Sequence, residues 1–163
     1  MKLPPSKKRL AATHEAGHAV VAHSLGFEVE SVTIIPNGRM RGACVYHRDR
    51  SREHLWRDLA VTLAGAIAQW KVEGKIAPDS MEAVLEQLSH VSKIDADSFR
   101  TNLRAYCGSD LNQDRTFAEI YQWTENLLCL HANSVDCLSD ILKSHSNGTI
   151  EGASLTRILE DVS

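Results

Sequence analysis

The apolar positions at the start of the chain repeat with the period of an α-helix. Between residues 6 and 25 they share one side of a helix with 3.6 residues per turn, at successive spacings of seven, four and four: Leu10, Gly17, Val21 and Leu25. Gly26 suits the end of such a helix, because glycine readily takes the left-handed conformation that often terminates one. We predict an N-terminal helix that buries one face.

Two short segments with the composition of β-strands follow. Residues 29–35 are rich in β-branched side chains and partly alternate between apolar and polar, and residues 42–47 form a second such run. Pro36, Asn37 and Gly38 lie between them and are typical of a turn. The pattern predicts a small antiparallel hairpin.

The rest of the chain has mostly helical periodicity. Ser51 suits the N-cap of a helix that has Glu53 in its first turn and runs to Trp70, and small residues at 64–68 favour close packing of that helix. Further helices are predicted at about 79–92, 94–106, 109–132, 133–145 and from Ser154. We predict a mainly α fold with a small antiparallel β-sheet, the α+β class.

Length and composition favour a single domain over residues 1–163, in which the polar segment at about 76–99 is a candidate insertion. Eighteen basic and twenty-one acidic residues give a net charge of −3, which argues against nucleic acid as a partner. The apolar runs are shorter than the roughly 20 residues that cross a bilayer, and the N-terminus lacks the apolar core of a secretory signal. We therefore expect a cytoplasmic protein without a membrane segment.

The predicted first helix carries residues that suit a zinc site. His14-Glu15-Ala16-Gly17-His18 matches the pattern His-Glu-x-x-His. Residues four apart in a helix lie one turn above one another, about 6 Å, so both imidazoles can bind one Zn²⁺ from the same face. Glu15 is turned by roughly 100° from His14, and we predict that it is the catalytic base that takes a proton from the attacking water. Chance occurrence of the pattern is the alternative, but both histidines flank the apolar stripe and Gly17 permits close approach of another element.

A catalytic zinc ion normally has three protein ligands and one open position, so a third ligand has to come from elsewhere in the chain. The extended metzincin pattern is absent, since His23 falls one residue too early. Asp110 is the best distant candidate, because Ser109 is suited to cap a helix with Asp110 in its first turn. Asp114 lies one turn further along the same face. Both aspartates have the alternative role of N-terminal carboxylates that interact with the helix dipole.

Four segments occur in a characteristic order along the chain. They are the HEAGH helix preceded by Lys7-Lys8-Arg9, the strand at 32–36 followed by Gly38 and Gly42, the small-residue helix at 63–68, and the closing segment at 141–159. This order resembles the peptidase domain of the FtsH family of zinc metallopeptidases. The resemblance spans nearly the whole chain, is weakest at 72–106, and implies a zincin-like active-site helix.

In that family the third zinc ligand is an aspartate near the start of a later helix, usually followed by an aliphatic residue. Asp110 followed by Leu111 fits this arrangement best. Asp114 is the second candidate, because Ala118 then lies four residues on, where the family often has alanine. The chain departs from the family at Gln69, where the family usually carries glutamate, so a supporting carboxylate from that helix is missing.

The resemblance implies a zinc metalloendopeptidase. No Gly-x-x-x-x-Gly-Lys-Ser/Thr phosphate-binding motif occurs in the 163 residues, so we expect ATP-independent hydrolysis of short peptides or unfolded proteins. The resemblance also implies that residues 42–46 form an exposed edge strand to which a substrate adds as a further strand. An ATPase partner and a homo-oligomer, such as the hexameric rings of the family, both remain open. The alternative function is an inactive peptidase-like module that binds a peptide or regulates a partner.

Overall fold

The computed structural model describes residues 5–38, 41–48, 51–75, 78 and 80–162. Its helices are α1 (Pro5–Ser24), α2 (Arg52–Glu73), α3 (Met81–Val91), α4 (Lys93–Cys107), α5 (Gln113–Leu130), α6 (Ala132–Ser144) and α7 (Gly152–Val162). Its strands are β1 (Val29–Thr33), β2 (Ala43–Tyr46) and β3 (Thr149–Glu151). The predicted fold class, mainly α with a small antiparallel sheet, is confirmed. Among the described residues, no helix is long and apolar enough to cross a membrane.

Helices α1 and α2 cross at close range in the core. Gly17 of α1 faces the small residues of α2: a Cβ at Gly17 would lie 2.8 Å from the carbonyl oxygen of Ala64 and 2.9 Å from the Cβ of Ala68. A larger side chain at position 17 would therefore push the two helices apart. The close packing that the small residues of α2 predict is confirmed, and it brings α2 against the face of α1 that carries the histidines.

The sheet has three antiparallel strands in the order β2-β1-β3. Thr33 of β1 pairs with Ala43 of β2 on one side and with Thr149 of β3 on the other. The sequence predicts β1 and β2 but not β3, because its three residues are too few for a recognisable alternation. In the part of the chain that the structure describes, β2 is an edge strand, as predicted.

Helix α5 begins later than the sequence predicts. The predicted cap is Ser109, whereas the helix begins at Gln113 and its N-cap is Asn112, whose side chain accepts a hydrogen bond from the backbone N–H of Arg115 at 2.9 Å. Asparagine and serine are similarly good N-caps, so composition does not choose between them. As a consequence Asp110 lies in a turn and not in the first turn of a helix.

The polar segment at 76–99 contains α3 and the first half of α4. Both helices begin at a serine N-cap: Ser80 accepts a hydrogen bond from the backbone N–H of Ala83, and Ser92 accepts one from that of Asp95. That the segment is an insertion, and that residues 1–163 form one domain, stay predictions.

Candidate metal centre

Helix α1 places two imidazoles next to one another inside the protein. His14 and His18 are each 6% exposed, and their Nε2 atoms lie 3.0 Å apart. The ring centroids are 4.6 Å apart and the ring planes are inclined at 82°. This arrangement follows from their spacing, because residues four apart share a helix face. The structure thus brings the two predicted histidine ligands together.

The ring of His18 is held by α2. Its Nδ1–H donates a hydrogen bond to the carbonyl oxygen of Val61 at 2.7 Å, since a carbonyl can only accept. The lone pair of the neutral ring is therefore on Nε2, which faces His14. Gly65 permits the His18 ring to lie directly against α2, because a Cβ at position 65 would lie 2.7 Å from two carbons of that ring. The carbonyl of Val61 thus fixes the tautomer of His18, and Gly65 leaves room for its ring.

The third member of the cluster is Asp95, in the first turn of α4. Its Oδ2 lies 3.1 Å from Nε2 of His14 and 3.5 Å from Nε2 of His18. The Ser92 hydroxyl accepts a hydrogen bond from the backbone N–H of Asp95 and so caps the helix. The Asp95 carboxylate is not used for capping and faces the histidines. Within the described residues, these three side chains are the one group of His, Cys, Asp or Glu whose candidate ligand atoms all lie within 4.8 Å of one another.

Neither Asp110 nor Asp114 belongs to this cluster. Asp110 is exposed in the turn after α4, where its Oδ1 accepts a hydrogen bond from the Ser109 hydroxyl at 2.8 Å. Asp114 is exposed in the first turn of α5. The structure therefore does not bring Asp110, predicted as the third ligand, or its alternative Asp114 to the histidines. Asp95 lies there instead, because α4 and not α5 presents its N-terminal turn to them.

A signal for Asp95 was present in the sequence. Ser92 followed three residues later by Asp95 is a Ser-x-x-Asp capping pattern, which predicts the start of a helix. A helix start does not by itself show what the helix faces, so only the tertiary contact identifies Asp95.

The cluster stabilises positive charge. Burial alone raises the pKa of the Asp95 carboxyl group, but the imidazoles of His18 and His14 outweigh burial and hold that pKa well below its ordinary value. Burial lowers the pKa of His18, but the Asp95 carboxylate outweighs burial and, helped by Glu15, raises that pKa to about 9. The carboxylates thus favour a cation at the position that the two imidazole nitrogens face.

Glu15 lies beside the cluster and is not one of its members. It is 6% exposed and packs against the segment that leads into β2, where a Cβ at Gly42 would lie 2.7 Å from its Oε1. Burial raises the pKa of Glu15, and the two histidines oppose that rise. A buried carboxylate next to the ligand set, but outside it, suits the role of a base.

Within the ranges that the structure describes, Nδ1 of His14 lacks the kind of hydrogen bond that holds Nδ1 of His18. Nδ1 of His14 is buried and has no hydrogen-bond partner among the described residues. Histidines that bind metals normally donate this second N–H to an acceptor. Gln69, which replaces the glutamate expected at this position, is buried on α2. Its Nε2 lies 3.5 Å from Oε2 of Glu73. Helix α2 therefore orients His18 but supplies no carboxylate to His14.

The three clustered side chains fit a zinc ion. Zinc binds imidazole nitrogen and carboxylate oxygen at about 2.0–2.2 Å in a tetrahedron, which places the ligand atoms about 3.3–3.5 Å apart. The separations in this cluster are 3.0, 3.1 and 3.5 Å. Two imidazoles and a carboxylate are also a donor set of catalytic zinc sites, which keep a fourth position open. His14, His18 and Asp95 are thus the residues that would hold the metal.

The free edge of β2 begins next to Glu15. On the other side of the sheet, the N–H of Ile34 donates to the carbonyl of Gly148, at 2.9 Å. Backbone groups alternate sides along a strand, so those of Val32 also face β3, and those of its partner Cys44 face away from β1. The N–H and C=O of Cys44 therefore point to an edge on which no strand is paired in the described part of the chain.

Comparison with known proteins places these residues in a family. The sequence profile of peptidase family M41 matches residues 1–97. The chain is similar to ATP-dependent zinc metalloprotease FtsH of Thermus thermophilus, with 42% identity in an alignment of length 73 that covers 41% of this chain and 12% of the relative. It is similar to the protein of the same name from Lactococcus lactis, with 27% identity over 69% of this chain and 19% of the relative. For the Pelobacter propionicus protein, also named FtsH, the identity is 28% over 72% of this chain and 22% of the relative.

The chain spans about a fifth or less of the length of these relatives, 12, 19 and 22%. The family match covers 97 of the 163 residues, which is more than half of the chain. It includes His14, Glu15 and His18 on α1 and also Asp95 on α4, whereas Asp110 and Asp114 lie beyond it. The chain therefore belongs to peptidase family M41.

Proposed function

We propose that this chain is a zinc metallopeptidase that hydrolyses peptide bonds in short peptides or unfolded proteins without ATP. The observation that carries the proposal is the convergence of His14, His18 and Asp95, with Glu15 buried beside them. The choice of zinc is supported by the donor set and by the names of the relatives, which are zinc metalloproteases.

The residues divide the chemistry between them. A zinc ion held by the three ligands would polarise the carbonyl of the scissile bond and lower the pKa of a water molecule toward about 7. Glu15 takes the proton from the attacking water and passes it to the leaving amine. Its carboxylate is buried beside the ligands, which places it within reach of that water. No covalent intermediate with the protein is needed.

The substrate docks on the free edge of β2. An extended peptide that pairs with the outward N–H and C=O of Cys44 lies along the strand that begins beside Glu15. Such pairing uses main-chain groups, so it gives little sequence preference. It requires an extended segment, which short peptides and unfolded chains offer and compact folded proteins do not.

The test combines metal content with turnover. Wild-type protein is expected to hold about one zinc ion per chain and to cleave a fluorescently labelled unfolded protein in buffer without nucleotide. Glu15→Gln should keep the zinc and lose the turnover, because the amide cannot accept the proton. His14→Ala should lose both.

Three results count against the proposal. Equal turnover in wild type and Glu15→Gln would show that the base is not Glu15, and zinc with no turnover in either would favour a binding module. Wild-type protein that neither binds zinc nor cleaves the substrate would remove the metallopeptidase proposal altogether.

A further inference from the structure

Asp58 is a buried carboxylate on α2 that accepts hydrogen bonds from two other elements. The residue is 3% exposed. Its Oδ1 accepts a hydrogen bond from the hydroxyl of Tyr46, at the end of β2, at 2.6 Å. Its Oδ2 accepts one from the side-chain amide of Asn102, on α4, also at 2.6 Å. One side chain therefore connects the docking strand and the helix that carries Asp95 to the same point of α2.

A carboxylate is costly to bury unless its oxygens are satisfied, and here each oxygen has a donor from a different element. The guanidinium of Arg48 completes the arrangement: its Nε lies 3.4 Å from Oδ1 of Asp58, and its central carbon lies 4.6 Å from the centre of the Tyr46 ring. Loss of any one donor leaves part of the charge unpaired. The geometry of the three elements is thus coupled through Asp58.

The first connection holds the docking strand. Tyr46 is 8% exposed and lies two residues after Cys44, whose backbone faces the free edge. Burial and the neighbouring Asp58 raise the pKa of the Tyr46 phenol, so the hydroxyl stays protonated and donates the hydrogen bond to Asp58. An edge strand has a partner strand on one side only, and the hydrogen bond from Tyr46 to Asp58 attaches β2 to α2 as well.

The second connection holds the ligand-bearing helix. Asn102 follows Asp95 by seven residues, which is two helical turns or about 10 Å along the same face of α4. Phe99 lies between them on that face and is fully buried. The Ser92 cap and the contact of Asn102 with Asp58 therefore hold α4 on either side of the buried Phe99. Together they set the position of the Asp95 carboxylate.

We propose that Asp58 is a positioning residue for peptide hydrolysis, with one oxygen aligning the substrate-docking strand through Tyr46 and the other aligning the Asp95 helix through Asn102. The inference rests on the proposed metallopeptidase function. The two contacts have separate effects: the contact with Tyr46 acts on substrate binding, and the contact with Asn102 acts on metal binding. A merely structural role would give neither effect selectively.

The experiment measures zinc affinity, KM and kcat in single variants of the full chain. Tyr46→Phe removes only the hydroxyl and is expected to raise KM about 3- to 10-fold with zinc affinity unchanged. Asn102→Ala is expected to lower zinc affinity about 10-fold with KM unchanged when zinc is saturating. Asp58→Asn keeps the shape, but its NH₂ group cannot accept a hydrogen bond, so it should show at least one of the two effects.

The controls are Tyr121→Phe and Asn133→Ala, which make the same chemical changes on α5 and α6 and should change neither constant. If Tyr46→Phe and Asn102→Ala lower thermal stability but leave KM and zinc affinity at the wild-type values, the positioning role is refuted while the proposed function stands. If they shift both constants equally, the separation into two connections is refuted. Wild-type protein without zinc binding or turnover overturns the proposed function and this inference with it.

Discussion

Gly65 lies directly against the imidazole of His18, so closely that a Cβ at position 65 would come within 2.7 Å of two ring carbons. The carbonyl of Val61, one turn earlier on α2, receives the Nδ1–H of the same ring. A helix that has no side chain at this point can therefore orient the ligand through its own backbone. The small residues of α2 serve the metal site as well as the packing of the core.

Gly65→Ala should weaken zinc binding. The added methyl group has to displace the His18 ring or separate α1 from α2, and overpacking of this kind costs about 1–3 kcal/mol. Gly17→Ala is the matched control, because its added methyl group meets Ala64 and Ala68 and no ligand. Both variants should melt at lower temperature than wild type. Gly65→Ala should lose more zinc affinity than Gly17→Ala by calorimetric titration, because only its methyl group meets the His18 ring itself. Wild-type affinity in Gly65→Ala would contradict the assigned contact.

Asp95→Ala should abolish tight zinc binding, whereas Asp110→Ala should not. Loss of a residue that hydrogen-bonds a metal ligand lowers metal affinity by about 10- to 100-fold, so loss of the ligand itself is expected to lower it by more than about 100-fold. Asp110 is exposed, so its removal affects only the local turn. Zinc affinity measured by chelator competition distinguishes the two residues. The opposite result would restore Asp110 as the third ligand and make the Asp95 contact incidental.

Gly42→Ala should separate catalysis from metal binding. A Cβ at position 42 would lie 2.7 Å from Oε1 of Glu15 and 2.6 Å from the carbonyl oxygen of Thr33. Glu15 has to move, but His14 and His18 do not. We expect a fall in kcat with zinc content unchanged, the same pattern as in Glu15→Gln. A variant with wild-type kcat would show that the position of Glu15 does not depend on this contact.

Cys44→Pro should impair substrate binding more than folding. The N–H of Cys44 points to the free edge, where proline is tolerated, so the internal ladder of the sheet stays intact. Loss of one hydrogen bond to the substrate, worth about 0.5–1.5 kcal/mol, raises KM by about 2- to 10-fold. Cys44→Ala controls for the lost thiol. Val45→Pro, which removes an N–H directed at β1, should instead lower the melting temperature.

Unchanged KM in Cys44→Pro, in a protein that melts near the wild-type temperature, would exclude strand addition at this position. The zinc site and Glu15 would be unaffected by that result, because the docking mode and the hydrolytic chemistry rest on different residues. Peptide binding measured on the Glu15→Gln background gives the same comparison without turnover.

Local periodicity was enough to place the two histidines. The spacing of four between His14 and His18 puts them on one helix face whatever surrounds the helix, since 3.6 residues per turn is a property of the backbone. The same reasoning applies to the Ser51 cap of α2 and to the small residues that let α1 and α2 approach. The histidine spacing and the Ser51 cap were predictable because each depends on neighbours within about two turns of the chain. The small residues were informative because their size alone permits another helix to approach.

The candidate for the third ligand is visible only in the tertiary structure. Asp95, Asp110 and Asp114 all lie near the start of a helix, and a helix start carries no information about what it faces. The contact of Asp95 with His14 joins residues 81 positions apart. Strand β3 is a similar case, because three residues acquire strand structure only by pairing with β1.

The sequence by itself determined a mainly helical fold, the histidine pair and the neighbouring glutamate, because helix geometry relates nearby residues directly. Only the tertiary structure brought Asp95 to the two histidines, and Tyr46 and Asn102 to Asp58. Those contacts depend on how whole helices and strands pack, and packing is set by the combined burial of many side chains along the chain.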